Sequence, residues 1–185
     1  IISVTRAKHL LIRSPCYYGT SERYPAAAAA EYINSQFGSS GTVTSTKDSG
    51  VYKGCTAVYL AAMEGRLDVV RGLTELLGAD AEARENGGRT SVYVSAYKGH
   101  LEVVRYLIRE RGVRGDTPDN NGCTPLHYAA QPKGGNMNVV KFLVSTLRVN
   151  NINARNKHGK TALKCALDKN NSACADILRA HGATE

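Results

Sequence analysis

One short phrase recurs along this chain at nearly constant spacing, and that periodicity constrains the fold more than any other feature. Gly54-Cys55-Thr56-Ala57, Gly88-Arg89-Thr90-Ser91, Gly122-Cys123-Thr124-Pro125 and Gly159-Lys160-Thr161-Ala162 open four aligned segments whose glycines lie 34, 34 and 37 residues apart. A second phrase follows in two of them, Gly65-Arg66-Leu67-Asp68-Val69-Val70-Arg71 and Gly99-His100-Leu101-Glu102-Val103-Val104-Arg105. The third segment carries Asn136-Met137-Asn138-Val139-Val140-Lys141 at the same place. Self-similarity at such a period marks small units that stack on one another.

Each unit reads as two short helices. A Thr at the start of the first can accept a bond from an orphan backbone N–H. Pro125 suits a first helical turn, where its missing N–H costs nothing. The Ala pairs 61/62 and 129/130 let helices approach closely. Gly65 and Gly99 can close the first helix in a left-handed conformation. Leu67, Val70, Leu73 and Leu77 then fall at helical spacing, as do Leu101, Val104 and Leu107. Asn86-Gly87 and Asn121-Gly122 mark tight turns between units. One helix pair cannot bury its own apolar face, so stacking makes the core. With no Trp and 2 Phe, that core is built mostly from Leu, Val, Ile and Ala.

Thr124-Pro125-Leu126-His127-Tyr128-Ala129 completes a signature that the other three segments keep in part. Over residues of about 50–185 the chain resembles the ankyrin repeat family, whose period is about 33. The resemblance implies an all-α ankyrin-repeat solenoid of helix-turn-helix units with β-hairpin loops. The repeats would span about 52–85, 86–119, 120–156 and 157–185. It also implies that His100 and His127 bond neighbouring repeats rather than forming a site. Two departures stand out. The third repeat is longer by an insertion at Gln131-Pro132-Lys133-Gly134-Gly135, either tolerated drift or a recognition loop. The last repeat has the more polar Asn171-Ser172-Ala173-Cys174-Ala175-Asp176, which suits a terminal cap facing water.

Residues 1–48 lack the signature. Val4, Ala7, Leu10 and Leu11 lie at helical spacing, and Pro25 to Ile33 reads as a second helix ending at Gly38. Two helices and a Ser/Thr/Gly stretch outline a degenerate N-terminal capping repeat, with residues 49–185 holding the four recognisable ones. A disordered linker is disfavoured by the apolar periodicity. A membrane-surface helix at Thr5–Ser14 is weak, with three basic and few large apolar residues.

Composition excludes several function classes. No window approaches the roughly 18 apolar residues that span a bilayer. The 5 cysteines form no CxxC pair, so neither a zinc site nor a disulfide framework is read, and a reducing compartment fits best. Cys55 and Cys123, two repeats apart, would lie roughly 20 Å from each other, beyond bridging distance. Cys165 and Cys174 read as small buried hydrophobes. No HExxH, phosphate loop or nucleophile elbow occurs, so no catalytic, cofactor or metal residue is assigned and the chain is not read as an enzyme. Arg114-Gly115-Asp116 and the sequon Asn170-Asn171-Ser172 are short enough to arise by chance. The net charge of +8 is spread out, with no dense basic run, which disfavours nucleic acid.

Relatives in the family present hairpin tips and the inner, first-helix face to partners. Carried over by position, that face holds Tyr52, Lys53, Met63, Arg89, Tyr97, Lys98, Asn120, Lys133, Lys157, Lys160 and Lys169, with Glu64 and Asp168 as its acids. Basic residues outnumber acids there, and the tyrosines could anchor an interface. The expectation is a monomeric, cytoplasmic or nuclear module that binds another protein through an acidic segment. The alternatives are a targeting or regulatory segment of a larger enzyme, a nucleic-acid-associated regulator, and a merely solvated lysine-rich face.

Overall fold

The computed structural model describes residues 55–76, 78–131, 136–146 and 149–185. The first 54 residues, including the expected capping repeat and Cys16, lie outside the described residues, as do positions 132–135 of the insertion.

The order is helical throughout. Helices α1 (Ala57–Met63) and α2 (Leu67–Arg71) form the first unit, and α3 (Ser91–Lys98) and α4 (Leu101–Arg105) the second. The third contains α5 (Pro125–Ala129) and α6 (Met137–Thr146), followed by the short α7 (Val149–Ile152). The last contains α8 (Ala162–Asp168) and α9 (Ser172–Ala180). Both α2 and α4 widen into a π-turn, at Gly72–Leu76 and Tyr106–Glu110, where the sequence spacing implies continued α-helix. The hairpin loops are reduced to tight turns. Gly88, Gly122 and Gly159 donate back to Glu85, Asp119 and Asn156, and no strand forms among the described residues.

The sequence signals act locally as expected. The hydroxyls of Thr56, Thr90 and Thr161 accept from the backbone N–H three residues on. At Thr124 the closure runs the other way, with its N–H donating to His127 Nδ1 at 3.1 Å. Each such cap contributes about 1 kcal/mol. The first helices stack in one row, α1 on α3, α3 on α5 and α5 on α8, with the second helices behind them.

Two apolar clusters fill the interior. One holds Val58, Ala62, Val70, Val92 and Leu107; the other holds Leu126, Val140, Leu143, Leu163 and Leu178. Ile108 packs against both, so the core runs through the stack.

Polar side chains lock each repeat to the one before it. His100 Nε2 lies 3.1 Å from the Met63 carbonyl. Asn136 Nδ2 donates to the carbonyls of Ala96 and Tyr97, 2.8 Å to each, and Asn171 Nδ2 to that of Ala130 at 3.0 Å. All three residues occupy the position just before the second helix, so one register position ties three successive junctions. The bond requires close approach to the glycine that ends the preceding helix. Gly99 has φ +83°, and a Cβ there would collide with Asn136 Oδ1.

Candidate protein-binding face

The row of first helices and the turns between repeats form one continuous side of the stack. The turns are fixed by acceptor side chains. Asp119 is buried and accepts from the N–H groups of Asn121 and Cys123, at 2.8 and 2.9 Å. Asn156 does the same for His158 and Lys160. The turns also bond to one another, Asn120 N–H to the Gly87 carbonyl and Lys157 N–H to that of Asn121. The tips are therefore held as a connected edge rather than as separate loops.

An aromatic group occupies the middle of this side. The Tyr93 and Tyr128 rings meet edge to face at 4.4 Å between centroids, and Tyr97 meets Tyr128 at 6.1 Å. Tyr97 is 43% exposed, one of two large hydrophobic residues exposed among the described residues. The Arg89 guanidinium carbon lies 5.4 Å from the Tyr93 ring centre. Tyr128 donates its hydroxyl proton to Asp119. Burial pushes the Tyr128 phenol up to about 12 and Tyr93 higher still, so both remain neutral donors across the physiological range.

Of the residues named from the sequence, the structure brings Arg89 and Tyr97 into this group. Lys98, Lys157 and Lys169 are exposed and carry no ion pair among the described residues. Met63 is half-buried against the first cluster. Asn120 is exposed but spends its amide on the Asn86 carbonyl, 3.0 Å away, which makes it a structural strut. Lys160 is paired with Asp168 at 2.5 Å, and that bond lowers the Asp168 carboxyl and raises the lysine. Lys164 reaches Asp168 and Glu185 as well. The positive charge is thus less free than the count of lysines implies. Arg89 Nε likewise lies 3.8 Å from a Glu85 oxygen. Tyr52, Lys53 and Lys133 lie outside the described residues.

Tyr128 and Tyr93 were not among the sequence candidates. The signal was available, because alignment of the repeats places Tyr128 at the position of Leu60 and Val94. The sequence alone does not give the offset between neighbouring repeats, which sets Tyr128 against Tyr97. An open depression of about 380 Å³ follows between the third and fourth repeats, lined by Gln131, His158, Lys160, Cys165 and Lys169 among others.

His100 and His127 serve the scaffold. His127 Nδ1 accepts from Thr124, which leaves the proton on Nε2 for the Lys160 carbonyl at 3.0 Å. Cys55, Cys123, Cys165 and Cys174 are free and buried. Burial raises the thiols of Cys55, Cys165 and Cys174. Among the described residues no group of His, Cys, Asp or Glu is placed to hold a metal, and no helix is long and apolar enough to cross a membrane.

Two further findings concern similarity to known proteins. A family model described as ankyrin repeats (3 copies) matches at residues 25–119, 72–150 and 111–184. The chain belongs to the ankyrin repeat family. Ankyrin repeats are generally protein–protein interaction modules. The match begins at residue 25, well before the first recognisable Gly-x-Thr phrase. No curated protein matches the chain.

Proposed function

We propose that this ankyrin stack binds a protein partner through the face made by its first helices and turns, with Tyr97 as the central apolar anchor. The observation that carries the reading is the exposure of Tyr97 on top of the Tyr93–Tyr128 pair, beside Lys98. A ring packed against Tyr128 loses little freedom on binding, and such aromatic positions dominate interface energies. Lys98 beside it, and Lys157 and Lys169 two repeats further along the stack, are exposed and carry no ion pair among the described residues, which favours an acidic segment and would speed its encounter. Arg89 is the less accessible cation, pinned over Tyr93.

The region before residue 50 serves in this reading as a degenerate capping repeat, supported by a family match that starts at residue 25. The working unit is a monomer without catalytic or cofactor chemistry, in a reducing cytoplasmic or nuclear setting that suits buried free thiols.

The experiment compares a captured partner's affinity for the wild type and for Lys98→Glu/Lys169→Glu at several salt concentrations. A weaker complex with a flatter salt dependence is expected. Identical affinity at every salt concentration would remove the face assignment.

A further inference from the structure

The opposite side of the stack carries a second feature. In the junction between the first and second repeats, the Arg71 guanidinium carbon lies 4.6 Å from the Tyr106 ring centre. Glu110 holds that guanidinium at 2.8 Å and Glu75 approaches at 3.7 Å. Tyr106 donates its hydroxyl proton to Glu75 and meets the Thr74 hydroxyl at 2.6 Å. The cation there is satisfied by two carboxylates from its own chain.

The next junction repeats the device with its acids removed. By register, Arg105 stands for Arg71 and Phe142 for Tyr106, with the guanidinium carbon 5.6 Å from the ring centre. Glu75 becomes Arg109, which also lies over Phe142 at 5.1 Å. Thr74 becomes Ile108 and Glu110 becomes Thr146. Two exposed guanidinium groups therefore share one buried ring, and neither has an ion pair among the described residues. Glu110 is the chain neighbour of Arg109, yet it is committed to Arg71. Lys141 beside Phe142 is exposed and unpaired among the described residues as well.

Guanidinium pairs bind carboxylates through parallel, charge-assisted N–H bonds, and a ring beneath them fixes their planes at little cost in freedom. We propose that Arg105 and Arg109 form a second docking site, on the outer-helix side, for the carboxylate of a Glu or Asp side chain on a protein partner. The incoming group takes the place that Glu110 fills one repeat earlier. The site is separate from the Tyr97 face, so either can exist without the other.

The test titrates an octaglutamate peptide into the whole chain and follows the arginine Nε–Hε resonances by NMR. Saturable shifts at Arg105 and Arg109 are expected. The same shifts should need at least about tenfold more peptide in Thr146→Glu, which supplies an internal carboxylate. In Arg105→Gln/Arg109→Gln the loss appears as weaker overall binding, with circular dichroism confirming the fold. Still arginine signals, or equal peptide affinity in Thr146→Glu, would overturn the proposal. Inorganic phosphate saturating these signals at lower concentration than the peptide would overturn the assignment to a carboxylate. Binding at Lys98 and Lys169 leaves these two resonances unmoved, so this outcome is independent of the one for the Tyr97 face.

Discussion

His127 lies in the third repeat, and its Nε2 donates to the backbone carbonyl of Lys160, 3.0 Å away in the fourth. With Thr124 donating to Nδ1, the ring is required in its neutral form. Burial lowers the His127 pKa from its ordinary value, against the opposing pull of the Lys160 carbonyl and Asp119. A lowered folded value means that the unfolded chain takes up the proton first. The contribution is complete above the ordinary histidine value of about 6.5 and is lost as pH falls through the folded one. Urea denaturation should therefore show a falling midpoint between about pH 7.5 and 5.5, with a smaller fall in His127→Gln. Equal slopes in both proteins would show that His127 does not carry the dependence.

The Asn136 amide, itself buried, bonds two carbonyls of the preceding helix end. Asn136→Leu strands the Tyr97 oxygen and leaves the Ala96 oxygen with the Gly99 N–H alone, and should cost about 1–3 kcal/mol in chemical denaturation. Gly99→Ala is expected to destabilise by more than about 1 kcal/mol, from its left-handed backbone and from contact with Asn136. A neutral result for both would mean that the repeats are held by apolar packing alone.

The repeat fold and the two-helix unit are legible because the Gly-x-Thr phrase and the capping residues act within a few residues of themselves. Gly65, Gly99, Thr90 and Pro125 each do locally what their chemistry dictates. The candidate face was legible only in part. Repeat register finds Tyr97 and Lys98, but it does not report which charges are neutralised. The Lys160–Asp168 pair joins residues 8 apart, across a turn and most of a helix. The Tyr97–Tyr128 contact depends on how one repeat is displaced against the next. The π-turns at Gly72 and Tyr106 also left no mark in the apolar spacing, which a continuous α-helix would share.

The Arg71 junction separates a buried bond from an exposed one. Tyr106 is 1% exposed and its hydroxyl meets Thr74 at 2.6 Å, so Tyr106→Phe should cost about 1 kcal/mol. Arg71 and Glu110 are both substantially exposed, and Glu110→Ala should cost less than about 1 kcal/mol although its contact is between full charges. Thermal melts of the two variants check the order; a larger loss in Glu110→Ala would reverse it.

Substitution of Leu126, fully buried in the third repeat, tests the cooperativity of the stack. Leu126→Ala should cost about 2–5 kcal/mol, and one transition should persist if the repeats unfold together. Two separated transitions would mean that the clusters meeting at Ile108 are only loosely coupled.

The central claim is that the Tyr97 face holds the partner. It is tested most directly by affinity capture on the intact chain, comparing wild type with Tyr97→Ala/Lys98→Glu and identifying bound proteins by mass spectrometry. Both residues are exposed, so the variant should keep its melting temperature. The account predicts that specific partners of the wild type disappear from the variant and fall by at least about 2 kcal/mol in measured affinity. An unchanged set of partners, bound with unchanged affinity, would contradict it.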